Sequence, residues 1–79
     1  MAGRLPVKSG KEVLKALGKA AKRFGIAFKR IGGGDHVVLQ NRSRRNFSVP
    51  LHDELAEGTL LNVINDAGMT KQDFLDYDP

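Results

Sequence analysis

Three short apolar runs follow one another, separated by turn residues, and this most constrains the fold. The runs cover 26–31, 36–40 and 46–49. Each is short and rich in aromatic or β-branched residues, so each reads as a strand. In the middle run His36, Val38 and Gln40 fall on one face, and Val37 and Leu39 on the other. In the third, Phe47 and Val49 share a face and Pro50 ends the strand. Three such strands in sequence predict an antiparallel meander, which needs a helical layer to bury its apolar side.

The flanking segments can supply that layer. Residues 1–8 read as an extended lead-in, with Pro6 opposing helix. Ser9-Gly10-Lys11-Glu12 has the form of a capping box. Val13, Leu17, Ala20 and Phe24 follow at helical spacing, with Leu14 and Ala21 widening the stripe, and Gly25 suits a helix end. A helix over 10–24 is expected. After a polar connection at 52–57, Leu60, Leu61, Val63, Ile64 and Ala67 form a second amphipathic pattern that Gly68 closes. Thr70 and Asp73 make a second capping box, with Phe74 and Leu75 as apolar anchors and Asp73, Asp76 and Asp78 as a solvated acidic tail. The order is α-β-β-β-α plus a short extra C-terminal helix. The expected class is α+β, in two layers, as one domain over 1–79.

Composition narrows the function. The chain has no cysteine, which excludes disulfides and thiolate metal sites. No apolar run is long enough to span a bilayer and no signal-peptide core is seen, so a cytoplasmic protein is expected. The net charge is +4 and the sequence pI is about 9.8. Of 13 Lys and Arg residues, 12 lie within 1–45. An anionic partner follows, nucleic acid first, bound on one basic face.

The stretch Gly32-Gly33-Gly34-Asp35-His36 is the candidate site. Glycine amides can approach a phosphate closely, and a histidine at the mouth of a strand exchanges protons near neutral pH. No Gly-Lys-Ser/Thr follows, so this is not a Walker loop. Asp35-His36 and His52-Asp53 together offer donors for a divalent ion, but neither pair has the usual ligand spacing.

Three motifs also occur in a fixed order. They are Leu5-Pro6 with Ser9 to Leu17; Gly34-Asp35-His36 with Val38-Leu39; and Val49-Pro50-Leu51-His52 with Gly58-Thr59-Leu60, Ile64, Ala67-Gly68-Met69-Thr70 and Asp73-Phe74-Leu75. Together, over roughly residues 4–76, they resemble the HicA (YcfA-like) toxin family. The resemblance implies a double-stranded-RNA-binding-domain-like fold and endoribonuclease activity on mRNA that blocks translation. It also implies neutralisation by a HicB-type antitoxin and no cofactor. The family's catalytic histidine matches His36. Three departures stand out: Asp35 in place of serine, Val37 where many members carry a second histidine, and a longer segment between Leu17 and Gly34.

RNA carries its own nucleophile, the 2′-hydroxyl. Cleavage therefore needs only a base, an acid and positive charge around the phosphorane-like transition state, with no metal. His36 is the candidate base or acid. Asp35 reaches it only if the turn breaks strand alternation. Lys29, Arg30, Arg42, Arg44 and Arg45 are the candidate phosphate binders, the three hairpin arginines above all, with the Gly34 amide beside them. His52 is a second acid, an RNA contact or a structural group. The competing readings are a non-catalytic RNA-binding module and a protein whose exposed sheet serves its antitoxin.

Overall fold

A computed structural model of the chain describes residues 6–31 and 35–78, with residues 30 and 31 described by backbone alone. The elements are α1 (Gly10–Phe24), β1 (Ala27–Ile31), β2 (His36–Gln40), β3 (Asn46–Pro50), α2 (Glu57–Asp66) and α3 (Lys71–Tyr77). The strands form an antiparallel sheet in the order β1-β2-β3, so β2 is central. The class is α+β, and the sequence order of elements is the expected one.

The capping boxes explain where two helices begin. At α1, Glu12 N donates to Ser9 Oγ (3.2 Å) and Ser9 N donates to the Glu12 carboxylate (2.9 Å). At α3, Asp73 N donates to Thr70 Oγ1 and Thr70 N to Asp73 Oδ2, both at 3.0 Å. α1 ends at Gly25, whose φ of 68° is the left-handed conformation that glycine tolerates. Both Gly25 N and Ile26 N donate to the Ala21 carbonyl. Ile26 therefore completes the helix end, and β1 starts one residue later than its apolar character suggests. α2 starts at Glu57, ahead of the apolar pattern, because the buried Leu55 anchors the approach and donates its amide to the Lys8 carbonyl (2.8 Å).

The helices cover one face of the sheet. α1 contributes Val13, Ala16, Leu17 and Ala20 to the core; the sheet contributes Val37, Leu39, Phe47 and Val49. Leu60, Val63 and Ile64 come from α2 and Phe74 from α3. Two expectations are corrected. Leu75 is 38% exposed, since Phe74 alone of that pair faces the core. Asp78 is not a solvated tail residue: it is largely buried and pairs with Lys8 Nζ at 2.9 Å, joining the start of the chain to its end.

The tightest junction is α1 against the end of β3. A Cβ on Gly10 would collide with the Pro50 carbonyl oxygen and lie 2.9 Å from the Leu51 Cα. Gly10 N also donates to the His52 carbonyl at 2.9 Å. Gly58, by contrast, has nothing within 4 Å of a would-be Cβ. Gly10→Ala is expected to cost about 3 kcal/mol or more, because backbone must move. Gly58→Ala is expected to be neutral or to stabilise by up to about 1 kcal/mol. Urea midpoints of the two variants measure this contrast.

The caps also set an acid response. The Ser9 amide, then its hydroxyl, hold the Glu12 carboxyl below its ordinary value, and the Thr70 amide does the same for Asp73. A lowered carboxylate stabilises fully above its unfolded pKa, and that stabilisation fades as pH falls through the folded value. Thermal midpoints should therefore drop on acidification, and Asp73→Asn, which removes the titrating carboxylate, should flatten part of the drop.

Candidate functional site

His36 opens β2, and its side chain is exposed. Strand alternation dictates its orientation. Val37 and Leu39 are buried against the helices, so His36, Val38 and Gln40 take the open face. Its register partner is Pro50. The preceding Asp35 carbonyl accepts the Leu51 amide at 2.6 Å, and the His52 carbonyl then holds Gly10 N. The backbones at His36, His52 and the start of α1 thus meet at one end of the molecule. The His52 side chain is exposed too.

No hydrogen bond or ion pair joins Asp35 to His36 among the described residues. Nor do three or more His, Asp or Glu side chains among them gather into a group able to hold a metal ion. The donors of Asp35-His36 and His52-Asp53 therefore do not converge as a ligand set. Gly34 and the Arg30 side chain lie outside the described residues.

The hairpin arginines lie at the other end of β2. The four steps of β2 from His36 to Gln40 span roughly 13 Å at strand rise, and Arg42 lies in the turn beyond. Asn41 organises this turn. Its amide donates to the Arg45 carbonyl (2.9 Å), its carbonyl accepts Arg44 N (2.9 Å), and its side-chain oxygen accepts Arg45 N (3.0 Å). Its Nδ2 donates to the Asp66 carbonyl at 2.7 Å, pinning the turn to the end of α2. Arg44 sits at φ 65°, the left-handed region, where its carbonyl accepts Gln40 Nε2 (3.3 Å). Nothing in the bare pattern Asn41-Arg42-Ser43-Arg44-Arg45 signals the pin to α2, because that contact spans 25 residues.

The three arginines are not equivalent. Arg42 donates to the Arg23 carbonyl at 2.8 Å and lies over Gly25, where a Cβ would come within 3.2 Å of its side chain. It caps the carbonyl end of α1, where a cation is favoured. Arg44 and Arg45 are exposed and carry no ion pair among the described residues. Beside the turn is a cavity of about 300 Å³, lined in part by Phe24, Asn41, Arg45, Asn65 and Asp66. Lys29 is exposed between these two ends. It falls at a bulge in β1, since Phe28 pairs with Leu39 and Arg30 with Val38. The structure therefore brings His36 and His52 to one end of a strand and Arg42, Arg44 and Arg45 to the other, with Lys29 between. A polyanion could touch both ends; a small anion could not.

These placements give Arg42 and Arg44 different structural consequences. Arg42→Ala should lower stability by about 1 kcal/mol because the α1 carbonyl end is left uncapped. Arg44→Gly should leave stability unchanged or raise it by up to about 1 kcal/mol by relieving the left-handed residue. Denaturation midpoints distinguish the two.

Residues 10–69 match the family described as HicA toxin of bacterial toxin-antitoxin systems. The comparison with curated proteins gives no significant match. Neither does that with solved structures. No described helix is long and apolar enough to cross a membrane. The family match spans α1, the whole sheet and α2, including both ends of the candidate site. The chain belongs to the HicA toxin family.

Proposed function

We propose that this protein is an endoribonuclease toxin that cleaves mRNA, with His36 as its proton-transferring residue and no need for a metal or other cofactor. The observation that carries the reading is His36 itself. It is exposed at the start of the central strand, is held by β2–β3 pairing, and lies within the stretch that matches the family. The whole chain acts as one RNA-binding and ribonuclease domain in the cytoplasm, where mRNA is available. The 2′-hydroxyl of the substrate attacks its own phosphate as His36 accepts or returns a proton. Breaking the bond to the 5′-oxygen leaves a 2′,3′-cyclic phosphate and a 5′-hydroxyl. His52, whose backbone is at the same end through the Asp35–Leu51 and Gly10–His52 links, contacts RNA or serves as a second acid. Arg44, Arg45, Lys29 and Arg30 hold flanking phosphates with the Gly34 amide. Arg42 joins them while capping α1.

A HicB-type antitoxin inhibits by covering His36 and the basic turn. Since these lie at opposite ends of β2, one partner laid along the open sheet face reaches both. The alternative is a module that binds RNA without cutting it, for which the basic residues serve equally well.

Cleavage in EDTA by wild type and by His36→Ala decides between these readings. The expected result is a fall of about 10²–10⁴-fold in the variant, with cyclic-phosphate and 5′-hydroxyl ends from wild type. Equal cutting by both would assign the chemistry to another group. Salt-sensitive binding by both, without cutting, would establish the binding module.

A further inference from the structure

The outer face of α1 is a row of cations. Lys11, Lys15, Lys19 and Lys22 are all exposed, opposite the buried Val13, Ala16, Leu17 and Ala20. At steps of three and four residues they make one stripe along the helix, about 16 Å from end to end. None of the four has an ion-pair partner among the described residues. Like charges four residues apart destabilise a helix, so folding accounts for Lys22, in the last turn where a cation is favoured, but not for the row as a whole.

Beside it are two further features that folding does not require. Gly18 is exposed in mid-helix, where glycine weakens the element. A Cβ there would have only the Phe28 ring tip nearby, at an ordinary 4.0 Å. Phe28, paired with Leu39 on the edge strand β1, is 47% exposed. The ring thus projects over a notch in α1, with Lys15 and Lys22 one turn to either side of Gly18 and Lys29 next in the chain.

We propose that this edge is a single-stranded RNA subsite, in which an unpaired base stacks on Phe28 over the Gly18 notch and phosphates lie on Lys15 and Lys22. The assignment rests on RNA being the substrate, and it adds a track on α1 distinct from the open sheet face. An aromatic ring flanked by cations is the arrangement that grips unpaired nucleotides without reading sequence. The seven-residue step from Lys15 to Lys22, about 10.5 Å along the helix, lets the two ammonium groups reach phosphates on either side of a stacked nucleotide in an extended strand. The helix begins at the His36 end and finishes at Arg42, so the track runs alongside the catalytic strand.

The test uses the full chain carrying His36→Ala, in EDTA, with a fluorescein-labelled unstructured 12-nucleotide RNA. Anisotropy is read between 50 and 200 mM salt. Adding Lys15→Gln with Lys22→Gln should reduce the slope of log affinity against log salt by about 1.4, that is about 0.7 for each phosphate no longer neutralised. Phe28→Leu should weaken binding at least about fivefold. Gly18→Gln fills the notch with a better helix former. It should keep or raise the thermal midpoint while weakening RNA binding about fivefold, an outcome that misfolding cannot mimic. Affinities within twofold of the parent for all these variants, with RNA binding intact, would overturn the subsite and leave the ribonuclease reading standing. Failure of the parent to bind RNA would overturn both. Competition by polyglutamate as effective as by unlabelled RNA would overturn the stacking site in favour of an acidic protein partner.

Discussion

The close approach of Gly10 to the Pro50–Leu51 backbone holds the rest of the structure in place. A helix that starts on top of a strand end needs a residue with no side chain at the contact, and Gly10 meets that need. From this junction a short series of backbone bonds leads to the candidate site. Gly10 N is held by the His52 carbonyl, Leu51 N by the Asp35 carbonyl, and Asp35 precedes His36. The position of the imidazole is therefore tied to main-chain geometry and not to a neighbouring carboxylate. Asp35 enters through its carbonyl, and its side chain makes no bond to His36.

The opposite end is closed by side chains. Asn41 ties the β2–β3 turn to α2 through Asp66, and Arg42 ties it to α1 through Arg23. Next to this, Arg23 donates to the Tyr77 hydroxyl (3.4 Å) and lies 4.9 Å from the Phe24 ring centroid, while Phe24 and Tyr77 meet edge to face at 6.3 Å. α3 is thereby fastened to the end of α1. Both ends of the helical layer are fixed to the sheet or to each other, while the open face of the sheet stays unobstructed by any described helix.

Much of this was legible in the chain. The capping boxes at Ser9 and Thr70, the glycine stop at Gly25 and the two-residue alternation around Val37 and Leu39 are local signals, and each appears where the pattern places it. His36 on the open face follows directly from that alternation. The roles of the basic residues were less legible. Arg42, Arg44 and Arg45 look alike in sequence, yet Arg42 caps a helix 19 residues away, Arg44 occupies a left-handed turn position, and Arg45 lines a cavity beside Arg42 without capping any helix among the described residues. Asp78 reads as a tail residue and proves to be the partner of Lys8.

The sequence by itself determined the elements, their order and which face of each strand is apolar, because caps, glycine stops and side-chain periodicity act over about four residues or fewer. Only the tertiary structure decided which glycine is indispensable and which arginine is structural. It also decided that His36 shares an end with His52, while the hairpin cations lie about a strand length away. Those outcomes depend on contacts between residues far apart in the chain, such as Gly10 with Pro50 and Asn41 with Asp66. Such contacts leave no periodic trace in the sequence, since close packing selects them only after the layers have met.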